Sequence, residues 1–149
     1  KELLYASDRF ESYFIGQGIT NEKFYQFLKA RVKTTIDNFQ NGEYLFLMAH
    51  VSDELVGGCI LKMNPDKNCE IRYLFVEPFL RNAGIGSVLM RETLSYSRAI
   101  GMKHISVRCF LFQNELRKFA EGFSFQKEME GNMEISEENF AWEIFGKSL

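Results

Sequence analysis

Histidine, cysteine and proline are all scarce in this chain, and each shortage excludes something. The two histidines, His50 and His104, lie in strand-like runs and share no metal-ligand spacing, so no metal site is expected. Cys59, Cys69 and Cys109 are odd in number and contain no Cys-x-x-Cys pair. Each sits in or beside an apolar run, which reads as buried free thiols in a reducing, cytoplasmic compartment. With so little histidine to serve as a base, a nucleophilic cysteine has no support. The only prolines are Pro65 and Pro78, and no repeat, low-complexity tract or linker interrupts the chain. One domain over residues 1–149 is therefore expected. No apolar run approaches the ~20 residues that a membrane span requires. No secretory signal pattern opens the chain, and Lys1 in place of Met suggests that the native start lies elsewhere. Neither charge dominates: the formal net charge is −2, which gives no basis for nucleic-acid binding.

What remains is an ordinary globular composition, 46% apolar and 26% charged, with fifteen phenylalanines that point to an aromatic-rich core. A chain of this length can bury roughly 68–70% of its unfolded surface.

Periodicity supplies the order of elements. Residues 2–7 suit a short strand. Residues 20–42 read as one bent helix or two short ones, with Phe24, Phe27, Leu28, Val32, Ile36 and Phe39 on one side. Strand-like runs over 43–51 and 54–63 are joined by Ser52-Asp53, a hairpin signal. Another run covers 69–78. These runs are apolar on both faces, as strands covered on both sides are. A helix follows from Ile85 to Ile100, with Ile85, Val88, Leu89, Tyr96 and Ile100 on its expected inner face and Gly101 at its end. Strand 103–109, a short helix over 113–122, and strands over 123–130 and 139–145 with a polar loop between them complete the chain. The fold class is therefore mixed α/β: a single central mixed sheet of about six to seven strands flanked by helices on both faces.

One stretch carries chemistry. In "LFVEPFLRNAGIGSVLM", residues 74–90, an apolar strand ends at Pro78 and Gly84 and Gly86 open a helix. A helix start has N–H groups without internal partners and the positive end of the macrodipole. Glycines there let an anion approach the backbone closely, and Arg81 adds charge, so a pyrophosphate cradle is one reading. A tight turn with no ligand is the other. A dinucleotide fingerprint would need Gly or Ala at position 89, which is Leu, and an acidic residue near 105–110, which is absent. A Walker A loop would need Gly-Lys-Ser/Thr, also absent.

The surroundings favour the cradle. "EIRYLFVEPFLRNAGIGSVLM" resembles the acetyl-CoA motif of the GNAT superfamily of N-acetyltransferases, with Arg81, Gly84 and Gly86 in its three signature positions. "LVGGCIL" looks like the family's third strand and "GFSF" like the start of its sixth. The resemblance implies acetyl-CoA as cosubstrate, no metal, and a small-molecule or peptide amine as acceptor. It implies no nucleic-acid or membrane partner and leaves a homodimer open. It also implies that the backbone of Arg81, Asn82, Ala83, Gly84, Ile85, Gly86 and Ser87 binds the pyrophosphate. Phe75, Val76 and Glu77 would then pair with the pantetheine arm like an added strand. An amide near Leu74 to Val76 would polarise the thioester carbonyl, between strands that members of the family splay. Asn114 looks like the family's coenzyme-contacting Asn; a helix cap is its plainer role.

Many members of the family carry a Tyr on that helix to protonate the departing thiolate. Here "NELRKFAEGF" has none, and Lys118, Phe119 or Ala120 falls there depending on the gap. A thiol has a pKa of about 8.5, so its thiolate leaves readily at neutral pH. Glu70 lies eleven residues before Arg81, the spacing at which the histone acetyltransferase branch carries its base. An edge glutamate meeting solvent or a Lys is the competing reading. Seven glutamates against Lys127 in residues 121–143 suggest a cationic acceptor such as a polyamine or basic peptide amine, unless they only solvate a loop. The alternative to an enzyme is a weak or inactive GNAT-fold module that binds acyl-CoA or a protein partner.

Overall fold

The computed structural model describes residues 42–77, 80 and 83–149, together with 22, 23, 26, 27, 30 and 34. The expected strand at 2–7, most of the helical stretch at 20–42, and Pro78, Phe79, Arg81 and Asn82 lie outside the described residues.

From residue 42 onward the described residues form six strands and two helices: β1 (Tyr44–Val51), β2 (Glu54–Met63), β3 (Asn68–Val76), α1 (Ile85–Ala99), β4 (His104–Phe110), α2 (Asn114–Gly122), β5 (Gln126–Ile135) and β6 (Glu138–Ser148). The strands form one mixed sheet in the order β1-β2-β3-β4-β6-β5. Every neighbour is antiparallel except β3 and β4, which run parallel. A parallel pair needs a long crossover, and α1 supplies it. None of the described helices is long and apolar enough to cross a membrane.

Local chemistry accounts for the turns. Ser52 and Asp53 both have positive φ, 50° and 67°, as a two-residue hairpin of the primed type demands. Ser136 and Glu137 do the same at 49° and 70°, which corrects the expected polar loop: β5 and β6 run on to a tight turn. The polarity of "EGNMEIS" reflects an exposed strand at the edge of the sheet, since among the described residues β5 pairs only with β6.

Two apolar clusters lie on opposite faces of the sheet. On one face Cys59, Leu61, Cys69, Ile71, Ile105, Val107, Cys109 and Phe145 meet Met90 and Leu94 of α1 and Ala120 of α2. On the other, Ile60, Tyr73, Phe75, Phe110 and Ile135 gather with Trp142, and with Phe27 from the helical positions between 22 and 34. Each fully buried large side chain stabilises the fold by ~1.5–3 kcal/mol relative to exposure. All three thiols are free and buried, as expected.

The inner face of α1 departs from the expected one. Val88, Tyr96 and Ile100 are exposed, and Leu89, Met90, Thr93, Leu94 and Ser97 are buried. Thr93 and Ser97 can go inside because their hydroxyls donate to carbonyls one turn back, Leu89 and Thr93, each at 2.7 Å. A hydroxyl satisfied within its own helix carries little burial penalty. Small side chains let α1 sit close to the sheet, and Leu89 would lie 3.1 Å from a Cβ at Gly57.

Candidate active site

β3 holds the decisive irregularity. Tyr73 pairs with Ile60 and Ile71 with Leu61, so Arg72 is an extra residue with no partner on β2. Such a bulge reverses which residues point to which face. Cys69 and Ile71 face α1, whereas Tyr73 and Phe75 face the other way and Leu74 joins the α1 side.

Just there the sheet opens. The β3–β4 ladder runs from Asn68↔His104 to Ile71↔Val107 and stops. Beyond it β3 stays paired with β2 as far as Val76↔Gly57, and β4 with β6 as far as Phe110↔Trp142. Among the described residues no ladder joins the two strands past that point, and the sheet parts between them. Glu77 N–H donates to the Val56 carbonyl at 2.8 Å. Antiparallel ladders alternate, so the amides of Leu74 and Val76 point away from β2, toward the gap.

The helix start lies at the end of the same strand. Gly84 caps α1 in the left-handed region with φ 84°, without a side-chain cap and with no acidic residue in the first turn. Glycine adopts that φ without the Cβ penalty other residues meet there. The first helical bond runs from Val88 N–H to the Gly84 carbonyl at 3.0 Å. The amides of Ile85, Gly86 and Ser87 therefore precede the helical ladder and are directed outward. Gly86 is different from Gly84. A Cβ there would sit in ordinary contact with Val76 and Phe119, 3.6 Å from each. Neither backbone angle nor internal packing demands glycine at 86, and the bare backbone there allows close approach of a ligand. Outward amides, no acidic residue in the first turn of α1 and a glycine as its second residue together fit a coenzyme pyrophosphate.

The remaining expected residues fall as follows. Phe75 is buried, Val76 half-buried beside Gly86, and Glu77 buried where β3 ends; Ala83 and Gly84 are exposed. Arg81 and Asn82 are outside the described residues. Asn114 opens α2 as its first residue, and Gln113 takes the cap position. Asn114 is thus no cap; its Oδ1 accepts from Arg117 Nη2. Glu70 stands in the paired part of the sheet, between Lys62 and Ser106. It alternates with Cys69 and Ile71 and so faces away from α1, with the Arg72 guanidinium 3.4 Å from its carboxylate.

Of the three residues expected opposite the helix start, Phe119 is the one beside Gly86, while Ala120 is fully buried and Lys118 is exposed. The position thus lacks a hydroxyl. Two further features were not anticipated. Arg108, beyond the end of the β3–β4 ladder, lies over the Trp142 ring at 4.6 Å. Glu143 is buried on β6 and bound by Arg117 and Lys127. The i, i+3 spacing of Asn114 and Arg117 could have suggested their contact; nothing local could have suggested Glu143. Among the described residues no group of three His, Cys, Asp or Glu could hold a metal ion.

Comparison with known proteins bears on the family and the fold. The Acetyltransferase (GNAT) family matches residues 9–125. A GNAT-family protein from Desulfovibrio desulfuricans superposes with a TM-score of 0.73 at 15% identity, over 93% of this chain and 89% of that one. The ribosomal-protein-S18-alanine N-acetyltransferase of Escherichia coli gives 0.68 at 13% identity, over 78% and 76%. A Bacillus subtilis acetyltransferase in complex with CoA gives 0.66 at 13%, over 78% and 83%. At these identities the likeness is one of fold. No curated protein matches the chain.

Proposed function

This chain belongs to the GNAT family of acetyltransferases, and from that premise we propose how its own residues carry out acetyl transfer from acetyl-CoA to an amine. The observation that carries the reading is the opening of the sheet between β3 and β4, directly before the glycine start of α1. The coenzyme supplies an activated acetyl thioester. The amides from Arg81 to Ser87 hold its pyrophosphate, with the end of α1 favouring the negative charge. Of the three strand residues expected to meet the pantetheine arm, Val76 turns its backbone toward it, whereas Phe75 and Glu77 face β2 and only flank it; Asn114 contacts that arm from α2. An amide of Leu74 or Val76 stabilises charge on the thioester oxygen as the amine attacks directly.

The acceptor is a primary amine. An alkylamine has a pKa near 10.4, so only about one molecule in ~2,500 is nucleophilic at pH 7. Glu70 takes the proton, directly or through one water, and Arg72 holds its carboxylate in place. Phe119 offers no proton, and the thiolate leaves without a dedicated acid.

The glutamates of residues 121–143 bear on the acceptor unequally. Glu128, Glu130, Glu138 and Glu143 already meet His104, Lys127, Lys23 and, for Glu143, both Arg117 and Lys127. Glu121, Glu134 and Glu137 are exposed and favour a cationic acceptor, a polyamine or a basic peptide amine. The test is release of CoA thiol from acetyl-CoA across an amine panel. Turnover with cationic amines, with KM rising with ionic strength, supports the reading. A flat salt profile or preference for acidic acceptors rejects the cationic acceptor. Coenzyme binding without release on a broad panel rejects catalysis in favour of a binding module.

A further inference from the structure

α2 is tied to the sheet by a polar clamp that crosses three elements. Glu143 stands on β6, opposite Cys109 of β4, on the face that α1 and α2 cover. Its side chain is 11% exposed. The two oxygens take separate cations: Oε1 accepts from Arg117 Nη1 at 2.9 Å, and Oε2 lies 3.0 Å from Lys127 Nζ of β5. Arg117 turns its other terminal nitrogen, Nη2, to Asn114 Oδ1.

That last contact fixes more than position. A guanidinium only donates, so the atom of Asn114 that meets it must be the carbonyl oxygen. The amide nitrogen, with two N–H donors, is then turned the other way. Asn114 is exposed at the start of α2, the helix whose Phe119 lies beside Gly86. Left to itself, an exposed Asn would sample both amide orientations and several rotamers. With Glu143 holding one arm of the guanidinium, the other arm selects one.

We propose that Glu143 is a positioning residue for coenzyme binding: through Arg117 it locks the Asn114 amide with its N–H donors presented to a carbonyl oxygen of the pantetheine arm. The relay rests on the reading above that Asn114 contacts the coenzyme. Lys127 satisfies the second oxygen of Glu143, so the carboxylate stays fixed while Arg117 serves both partners. The planar fork is essential. A lysine at 117 could keep the charge opposite Glu143 but could not hold two acceptors in one plane.

Calorimetry with acetyl-CoA on the full chain tests the relay. Asn114→Ala and Glu143→Gln should each weaken binding by roughly 3- to 20-fold. The double variant should be no weaker than the poorer single one, because both changes remove one contact. Steady-state kinetics should show KM for acetyl-CoA raised and kcat kept. Asn114→Asp, which keeps an oxygen for Arg117 but loses the donors, should behave like Asn114→Ala. If Glu143→Gln does not fold, Arg117→Lys carries the same test and should give the same loss. Unchanged affinity in Glu143→Gln and Arg117→Lys overturns the relay alone. Additive losses in the double variant overturn it too, since they mark a general weakening of α2. Full affinity in Asn114→Asp overturns the donor orientation. No loss in Asn114→Ala, or no acetyl-CoA binding by the wild-type chain, removes the functional reading first and the relay with it.

Discussion

Replacing Gly86 by alanine should stabilise this protein and weaken its grip on acetyl-CoA. The two signs come from different parts of the structure. Gly86 is the second residue of α1 and has ordinary helical geometry. A Cβ there would rest 3.6 Å from Val76 Cγ2 and from Phe119 Cζ, which is normal van der Waals contact. No strain opposes the change, and alanine lowers the entropy of the unfolded chain. The gain is ~0.4–1 kcal/mol, which for a chain of this size raises Tm by about 1–4 °C. The same methyl takes space beside the helix start, where the proposed coenzyme site needs bare backbone. An added methyl in a filled space costs about 1–3 kcal/mol, or roughly 5- to 150-fold in Kd. Differential scanning calorimetry measures the first effect and titration calorimetry the second. Gly84→Ala is the contrasting control. Its Cβ would meet nothing within 4 Å, but φ is 84°, so alanine there should destabilise by ~1–2 kcal/mol. If Gly86→Ala is stabilised and still binds acetyl-CoA as tightly as the wild type, the cradle assignment is wrong. If it is destabilised, the packing around the helix start is not as described.

Glu70→Gln should keep coenzyme affinity, lower kcat by roughly 10²-fold or more, and remove the acidic limb of the pH–rate curve; near-normal turnover at pH 7 would transfer the proton to ordered water instead. Acid stability should depend on Glu143, whose carboxyl is held below its ordinary 4.5 chiefly by the hydrogen bond from Lys127, with Arg117 assisting against burial. A lowered folded pKa means that this contribution is complete above about pH 4.5 and is lost as pH falls through the folded value. Thermal melts of the wild type should therefore drop below pH 4.5 more steeply than those of Glu143→Gln, and parallel curves would contradict the pairing. Cys59 and Cys109 are pushed up to about 12 by burial, and Cys69 is raised by burial as well. At pH 8 a thiol of that pKa is on the order of one part in ten thousand thiolate, so a disulfide reagent should label these thiols slowly until denaturant is added. Rapid labelling of the native protein would show that the sheet under α1 is open.

The sequence by itself determined whatever a residue's own chemistry and its near neighbours decide. Gly84 and Gly86 announce a helix start with little side chain, and Ser52-Asp53 announces a hairpin. Strand and helix periods give the order of elements from 43 to 122, and the spacing of Arg81, Gly84 and Gly86 carries the family resemblance. The same logic failed where the deciding partner was distant in sequence. Thr93 and Ser97 look like surface residues by hydropathy, yet they are buried because their hydroxyls are satisfied within α1 and their small size fits the sheet. Phe119 could not be chosen over Lys118 or Ala120 until α2 was set against Gly86. The β5–β6 turn at Ser136-Glu137 lacks the Asn-Gly signal, and β6 makes β5 a strand by pairing with it. The bulge at Arg72 is a property of two strands in register, β2 and β3, and neither run of residues contains it alone. That bulge, with the end of the β3–β4 ladder at Ile71, sends Tyr73 and Phe75 to one face and Leu74 and Val76 to the other. Glu143 reaches Arg117 across 26 residues. Contacts of that separation exist only once the sheet has brought β4, β5 and β6 together beneath α2, so tertiary structure alone decided them.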